Sequence, residues 1–163
     1  FAERPIVVAD NYRVVPSGFH PHKSDIILDV IAGTLINHST TVIEEITASN
    51  ITDSLLAYEY EFYGYIGDKD NFKRIRKVRL SKPITRSIEK GNHLFMATDE
   101  LHLVSCAADT IWIVWEGKQN PNFQSVTYST QDLLPRMSRD MYRRPNAEQF
   151  EMLRKKLMDI LFY

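Results

Sequence analysis

The sequence predicts a mainly β protein, a sandwich or barrel of many short strands closed by a helical extension at the C-terminus. Two observations carry this. From the N-terminus to about residue 116, β-branched and aromatic runs recur between Pro, Gly and Asn breaks. After Gly117 the composition changes, and the last twenty residues show helical periodicity.

The elements follow in order. "PIVVA", "YRVVP", "DIILDVIAGTLI" and "TTVIEEIT" are β-branched runs that read as strands. "SLLAYEYEFYGYIG" alternates strictly: Leu56, Tyr58, Tyr60 and Phe62 share one face, and Ala57, Glu59, Glu61 and Tyr63 share the other. "VRLSKPITRSI" and "HLFMA" come next, then "HLVSCAADTIWIVWEG" reads as two strands joined by the turn-like "AAD". "KQNPNF" is a loop. Ser129 or Thr130 caps a short helix, "QDLLPRM", which Pro135 limits. In "RRPNAEQFEMLRKKLMDILFY" Asn146 is the N-cap, with Gln149 three positions on. Phe150, Leu153, Leu157, Ile160 and Leu161 form its apolar stripe. That stripe either packs on the barrel or builds an interface between copies, which gives the expectation of a homo-oligomer, a dimer in the simplest case. The expected division is residues 1–125 for the barrel and 126–163 for the helical extension.

Bulk properties exclude several classes of function. A chain of 163 residues can bury a substantial core as one domain. Its formal net charge of −1 argues against nucleic acid or an anionic membrane as a general partner. No apolar run approaches the ~18 residues of a membrane span, and "FAERPIVVAD" contains neither an initiator Met nor a signal-peptide apolar region. Cys106 is the single cysteine, so no intramolecular disulfide forms and a reducing, cytoplasmic setting is expected. The sequons at Asn37 and Asn50 are short enough to arise by chance. "FKRIRKVRLSK" carries Lys73, Arg74, Arg76, Lys77, Arg79 and Lys82. It reads as a solvated strand face, with Arg76 the candidate for holding an anionic substrate.

The chemistry concentrates in "SGFHPHKSDIILDVIAG". His20 and His22 are spaced i, i+2, so an extended chain turns both rings to one side. Imidazole is a metal ligand in its neutral form, and a site needs at least three convergent ligands. The residues alone leave His38, His93 and His102 as alternatives for the third.

At this point the chain resembles the cupin superfamily. His20 to Gly33 has the HxH-apolar-Gly layout of cupin motif 1. Gly91 to His102 keeps the spacing of motif 2, with Ala97-Thr98-Asp99 in place of its Pro-x-Gly turn. The resemblance covers roughly residues 14 to 117 and implies a jelly-roll barrel holding a divalent metal, Fe(II) first, with Mn, Ni or Zn as alternatives. It implies His20, His22 and His102 as ligands. The family's Glu falls here on Ile26, leaving adjacent Asp25, brought inward by a bulge, or a three-histidine site like that of thiol dioxygenases. Glu59, Glu61 and Tyr58 are then the candidates for acid/base work or a fourth ligand. Tyr60, Arg76 and Trp112 are candidates for holding a small organic substrate. The resulting expectation is a non-haem Fe(II) dioxygenase. A metal-dependent isomerase or lyase, and a non-catalytic barrel for assembly or ligand binding, are the other readings. Cys106, on the same strand face as His102, reads as a small buried hydrophobe.

Overall fold

The computed structural model describes residues 18–44, 52–66, 69–107, 110–130 and 146–162. The expected strands "PIVVA" and "YRVVP" and the helix "QDLLPRM" lie outside these. Among the described residues there are nine strands and one helix. The strands are β1 (Ile26–Ala32), β2 (Thr34–Thr40), β3 (Ser54–Ile66), β4 (Lys69–Ser81), β5 (Ile84–Glu89), β6 (His93–Met96), β7 (Leu101–Cys106), β8 (Ile111–Glu116) and β9 (Val126–Ser129); the helix is α1 (Ala147–Phe162). The protein is mainly β, as its sequence predicts.

The strands form three antiparallel ladders, in the orders β6-β1-β8, β5-β2-β7 and β4-β3-β9. None of them closes on itself among the described residues. Three isolated antiparallel bridges link them further: Phe19 to Tyr128, His20 to His102, and Val42 to Leu80. The run "DIILDVIAGTLI" is two strands, because Gly33 takes φ 70° and turns the chain from one ladder into another. A Cβ at Gly33 would lie 2.6 Å from Thr110 Oγ1, so the corner also needs the missing side chain. Of "TTVIEEIT", Val42 contributes a single bridge to β4, and the residues from 45 on lie outside the described part. Pro83, which has no N–H to give to a ladder, separates β4 from β5.

Period-two alternation builds two cores. Ile26, Leu28 and Val30 of β1 face Leu35, Ile88 and Met96, with Leu94, Val104, Cys106, Trp112 and Val114 packed around them. This first core lies between the β6-β1-β8 and β5-β2-β7 ladders. The second core is Phe19, Ala57, Val78, Leu80, Leu101 and Tyr128, with Val42, Leu103 and Val126 against it. β7 therefore serves both cores: Val104 and Cys106 turn to the first, Leu101 and Leu103 to the second. That division decides where His102 points.

The sheet runs past the expected boundary at residue 125. Val126–Ser129 pairs with β3, placing Tyr128 opposite Glu59 and Val126 opposite Glu61. Four residues between a loop and a helix-capping sequence are too few to show a period. In α1 the expected capping box forms in full: Asn146 Oδ1 accepts from Gln149 N at 2.9 Å, and Asn146 N donates to Gln149 Oε1 at 3.0 Å. Phe150, the first residue of its apolar stripe, is exposed. No helix among the described residues is long and apolar enough to cross a membrane.

Candidate metal centre

The site is built on a short link, residues 18–25, that leads into β1. At its start the backbone of Gly18 lies so close to β9 that a Cβ would sit 2.3 Å from the Tyr128 carbonyl oxygen. Phe19 and Tyr128 exchange two backbone hydrogen bonds of 2.7 Å. His20 and His102 do the same on the other side, at 3.0 and 3.2 Å. Pro21 fixes its own φ and biases His20 to the extended region, so the His-Pro-His link is stiff before any ligand arrives.

This arrangement gathers three rings. His20, His22 and His102 have ring centroids 4.8 to 5.2 Å apart. One ligand nitrogen from each lies within 4.8 Å of the others. His22 Nε2 and His102 Nε2 approach to 2.7 Å. Two imidazole nitrogens bound to one ion at right angles ordinarily sit about 3 Å apart, so this pair is close to a ligand spacing.

The outer ring nitrogens are occupied. His20 Nδ1–H donates to the Gly18 carbonyl at 3.0 Å, and His102 Nδ1–H donates to Asn37 Oδ1 at 2.9 Å. In both rings this leaves Nε2 as the nitrogen with a free lone pair, the tautomer a metal requires. Asn37 itself is fully buried, on the interior face of β2 between Leu35 and Ser39. Its sequon therefore lies inside the folded protein. The donor set fits a divalent metal: three convergent imidazoles, two with the correct tautomer fixed from behind.

Burial also keeps the rings neutral. It lowers the pKa of His22 to about 4, with the His20 charge adding to the effect, and that of His102 to about 3, where His20 and His22 both contribute. His20 is lowered too by burial, opposed by its bond to Gly18. An unfolded histidine takes up its proton near pH 6.5, well before the folded His22 and His102. Below that value the unfolded state binds more protons than the folded one. The metal-free protein is therefore expected to hold its full stability above about pH 6.5 and to lose it progressively as the pH falls toward 4. Urea-unfolding midpoints at about pH 7.5 and about pH 5 measure this. An unchanged midpoint would contradict it, and His22→Ala is expected to flatten the dependence.

The other sequence candidates are not brought to the histidines. Asp25 is exposed, and its Oδ1 accepts from Thr98 N at 2.9 Å and Thr98 Oγ1 at 2.8 Å. No bulge turns it inward; Ile26 takes the interior position at 1% exposure. Of the two alternatives, only the three histidines are brought together. Glu59 and Glu61 share the face of β3 that carries Ala57, which packs into the second core with Tyr128 and Leu101. Leu101 and His102 point to opposite sides of β7, so the β7 backbone separates both glutamates from the rings. Glu59 instead accepts from Arg76 Nε at 2.8 Å, which also commits Arg76, and Gln124 donates to Glu61.

Tyr58 and Tyr60 lie on the opposite face of β3, farther still. Arg74 stacks 3.8 Å above the Tyr58 ring, and Tyr60 is buried. Trp112 does face the first core, opposite Val30. However, Val30 is four residues along β1 from Ile26, about 13 Å from the end where the histidines enter. His38 turns to the other face of β2, bonded to Thr85 and Ser105, and His93 is exposed on β6. Cys106 shares the interior face with His102, and burial pushes its thiol pKa up.

Two residues near the site were not singled out from sequence. Asn37 stands out only as a sequon, and its face of β2 also carries Ser39, so no apolar period marks it as interior. Ser24, 1% exposed, gives no sequence signal. Comparison with protein-family models, curated proteins and solved structures finds no match to this chain.

Proposed function

We propose that this chain is a cupin-type jelly-roll barrel and a metal-dependent enzyme acting on a small organic molecule, in its sharpest form a non-haem Fe(II) dioxygenase. The observation that carries the reading is the convergence of His20, His22 and His102 on one point, with tautomers set by Gly18 and Asn37. Strand order supports the fold. β1, β6 and β8 form one ladder and β2, β5 and β7 the facing one, so the chain alternates between sheets as a rolled ribbon does. The link at Phe19–His20 adds a further pairing beside β7, and the β3–β4 hairpin with β9 covers the outer face of that strand. The histidines then sit at one mouth of the barrel. Pro21, between two of them, also lines an open cleft, but its other walls include Val42, Leu101, Val126 and Tyr128 of the second core, and none of the three histidines lines it.

An Fe(II) ion in this site supplies redox chemistry toward O₂, whereas Mn, Ni or Zn supplies Lewis-acid chemistry for an isomerase or lyase. The chain's own contribution is three neutral nitrogen donors on rigid backbone. A second reading, a non-catalytic module, is favoured by the 2.7 Å contact, which a His22 Nε2–H donating to His102 Nε2 explains without metal. Metal content separates them. The purified protein, or the protein reconstituted with Fe(II), Mn(II), Ni(II) or Zn(II), is expected to hold one ion per chain; no stoichiometric metal under any of these conditions would sink the enzyme reading. Oxygen uptake with small thiols and aromatic diols then divides dioxygenase from isomerase or lyase.

A further inference from the structure

Ser24 is 1% exposed, and its Oγ is the one buried side-chain nitrogen or oxygen among the described residues with no hydrogen-bond partner. Native chains rarely leave such a group unmet, because its lost hydration is not replaced. The residue is held firmly. The carbonyls on either side of it are tied down, Lys23 O by Asn120 N at 2.7 Å and Asp25 O by Gly117 N at 2.8 Å. The side chains alternate along this stretch. Asp25 turns outward to Thr98, while Ser24 and Ile26 on either side of it are both buried. Ile26 belongs to the interior core, and Ser24, buried as well, lies in the bend that joins His22, two residues before it, to β1.

The charge at the site points to what the hydroxyl meets. Three imidazoles bring no negative charge, and among the described residues no carboxylate joins them. Asp25 is committed to Thr98, and Glu59 to Arg76 beyond β7. A divalent ion held by these rings keeps its full charge in a largely buried setting, where a small anion is the ligand that neutralises it best. A serine hydroxyl rotates freely and donates to such a ligand.

We propose that Ser24 is the hydrogen-bond donor for a small anionic ligand that binds beside His20, His22 and His102, which makes this a site for anionic rather than neutral ligands. The assignment rests on the three-histidine metal reading. Its test loads the full chain with Co(II) and titrates azide, with imidazole as a neutral comparator, following the visible spectrum. Ser24→Ala is expected to bind Co(II) and imidazole as the wild type does and to weaken azide about 10-fold, the effect of one hydrogen bond to a charged ligand. Ser24→Thr, which keeps the hydroxyl, is expected to retain azide binding. A wild type that takes up no Co(II) overturns the metal reading itself. Equal azide affinity in the wild type and Ser24→Ala, with Co(II) bound in both, leaves the metal centre standing and overturns the role of Ser24.

Discussion

Replacing His102 with alanine is expected to abolish stoichiometric metal binding, a larger loss than any other single side chain near the site would cause. His102 is buried at 3% exposure and is the only one of the three histidines that faces both of the others from a regular strand. The substitution removes one of three ligands and also leaves Asn37 Oδ1 and His22 Nε2 without their partner. Each buried group left unsatisfied costs about 1–3 kcal/mol, so some loss of stability accompanies the loss of metal. Asn37→Ala separates the two effects. It keeps all three ligands but frees the ring from behind, and changes of this kind typically weaken metal affinity by about 10–100-fold. Asn37→Asp restores the acceptor and is expected to recover most of that loss. The measurement is metal content by elemental analysis together with the shift in unfolding temperature that added metal produces. A His102→Ala protein that still holds one ion per chain contradicts the assignment. So does an Asn37→Ala protein with wild-type affinity.

The ranking of these variants depends on features the sequence displays unequally. That β1 is a strand was legible as a β-branched run, but its inward face was not, because Ile27 and Ile31 lie between the core residues Ile26, Leu28 and Val30 and blur the period of two. The capping box of α1 was legible because both partners lie within one helical turn. The histidine trio was legible only through a spacing between two distant stretches. What brings the rings together is a backbone bridge between His20 and His102, and that requires the register to be correct across 82 residues. Glu59 and Glu61 show the limit. The sequence assigns both to one face of β3, and the register agrees, since Ala57, Glu59 and Glu61 align with Val78, Tyr128 and Val126. Periodicity within a strand does not reveal which layer lies opposite. Here that layer is the outer side of β7, so two well-placed carboxylates face the wrong core. Asp25 failed for a more local reason: the Thr98 turn offers its carboxylate two donors, and the neighbouring Ile26, at 1% exposure, would lose its burial by turning outward.

Gly18→Ala is expected to damage fold and site together, although residue 18 carries no chemistry of its own. An added Cβ would lie 2.3 Å from the Tyr128 carbonyl oxygen and 2.7 Å from its carbonyl carbon, both of them backbone atoms of a paired strand. Neither can rotate away, so the link and β9 must separate. The paired bonds between Phe19 and Tyr128 stretch first, and the Gly18 carbonyl moves off His20 Nδ1–H. Overpacking of about 1–3 kcal/mol and the loss of two or three hydrogen bonds worth about 1 kcal/mol each place the expected loss at about 3–6 kcal/mol. Because the same movement turns the His20 ring, metal affinity is expected to fall at least about 10-fold. Gly91→Ala provides the contrast. Gly91 has φ 82° but open space where its Cβ would go, so the substitution costs about 1–2 kcal/mol of backbone strain and leaves metal affinity unchanged. Denaturant unfolding and metal titration of the two variants, side by side, measure both quantities. If Gly18→Ala loses no more stability than Gly91→Ala and binds metal as the wild type does, the close approach at Tyr128 does not set the position of His20. If both quantities fall together in Gly18→Ala alone, the backbone contact between the link and β9 is what aims the first histidine at the other two.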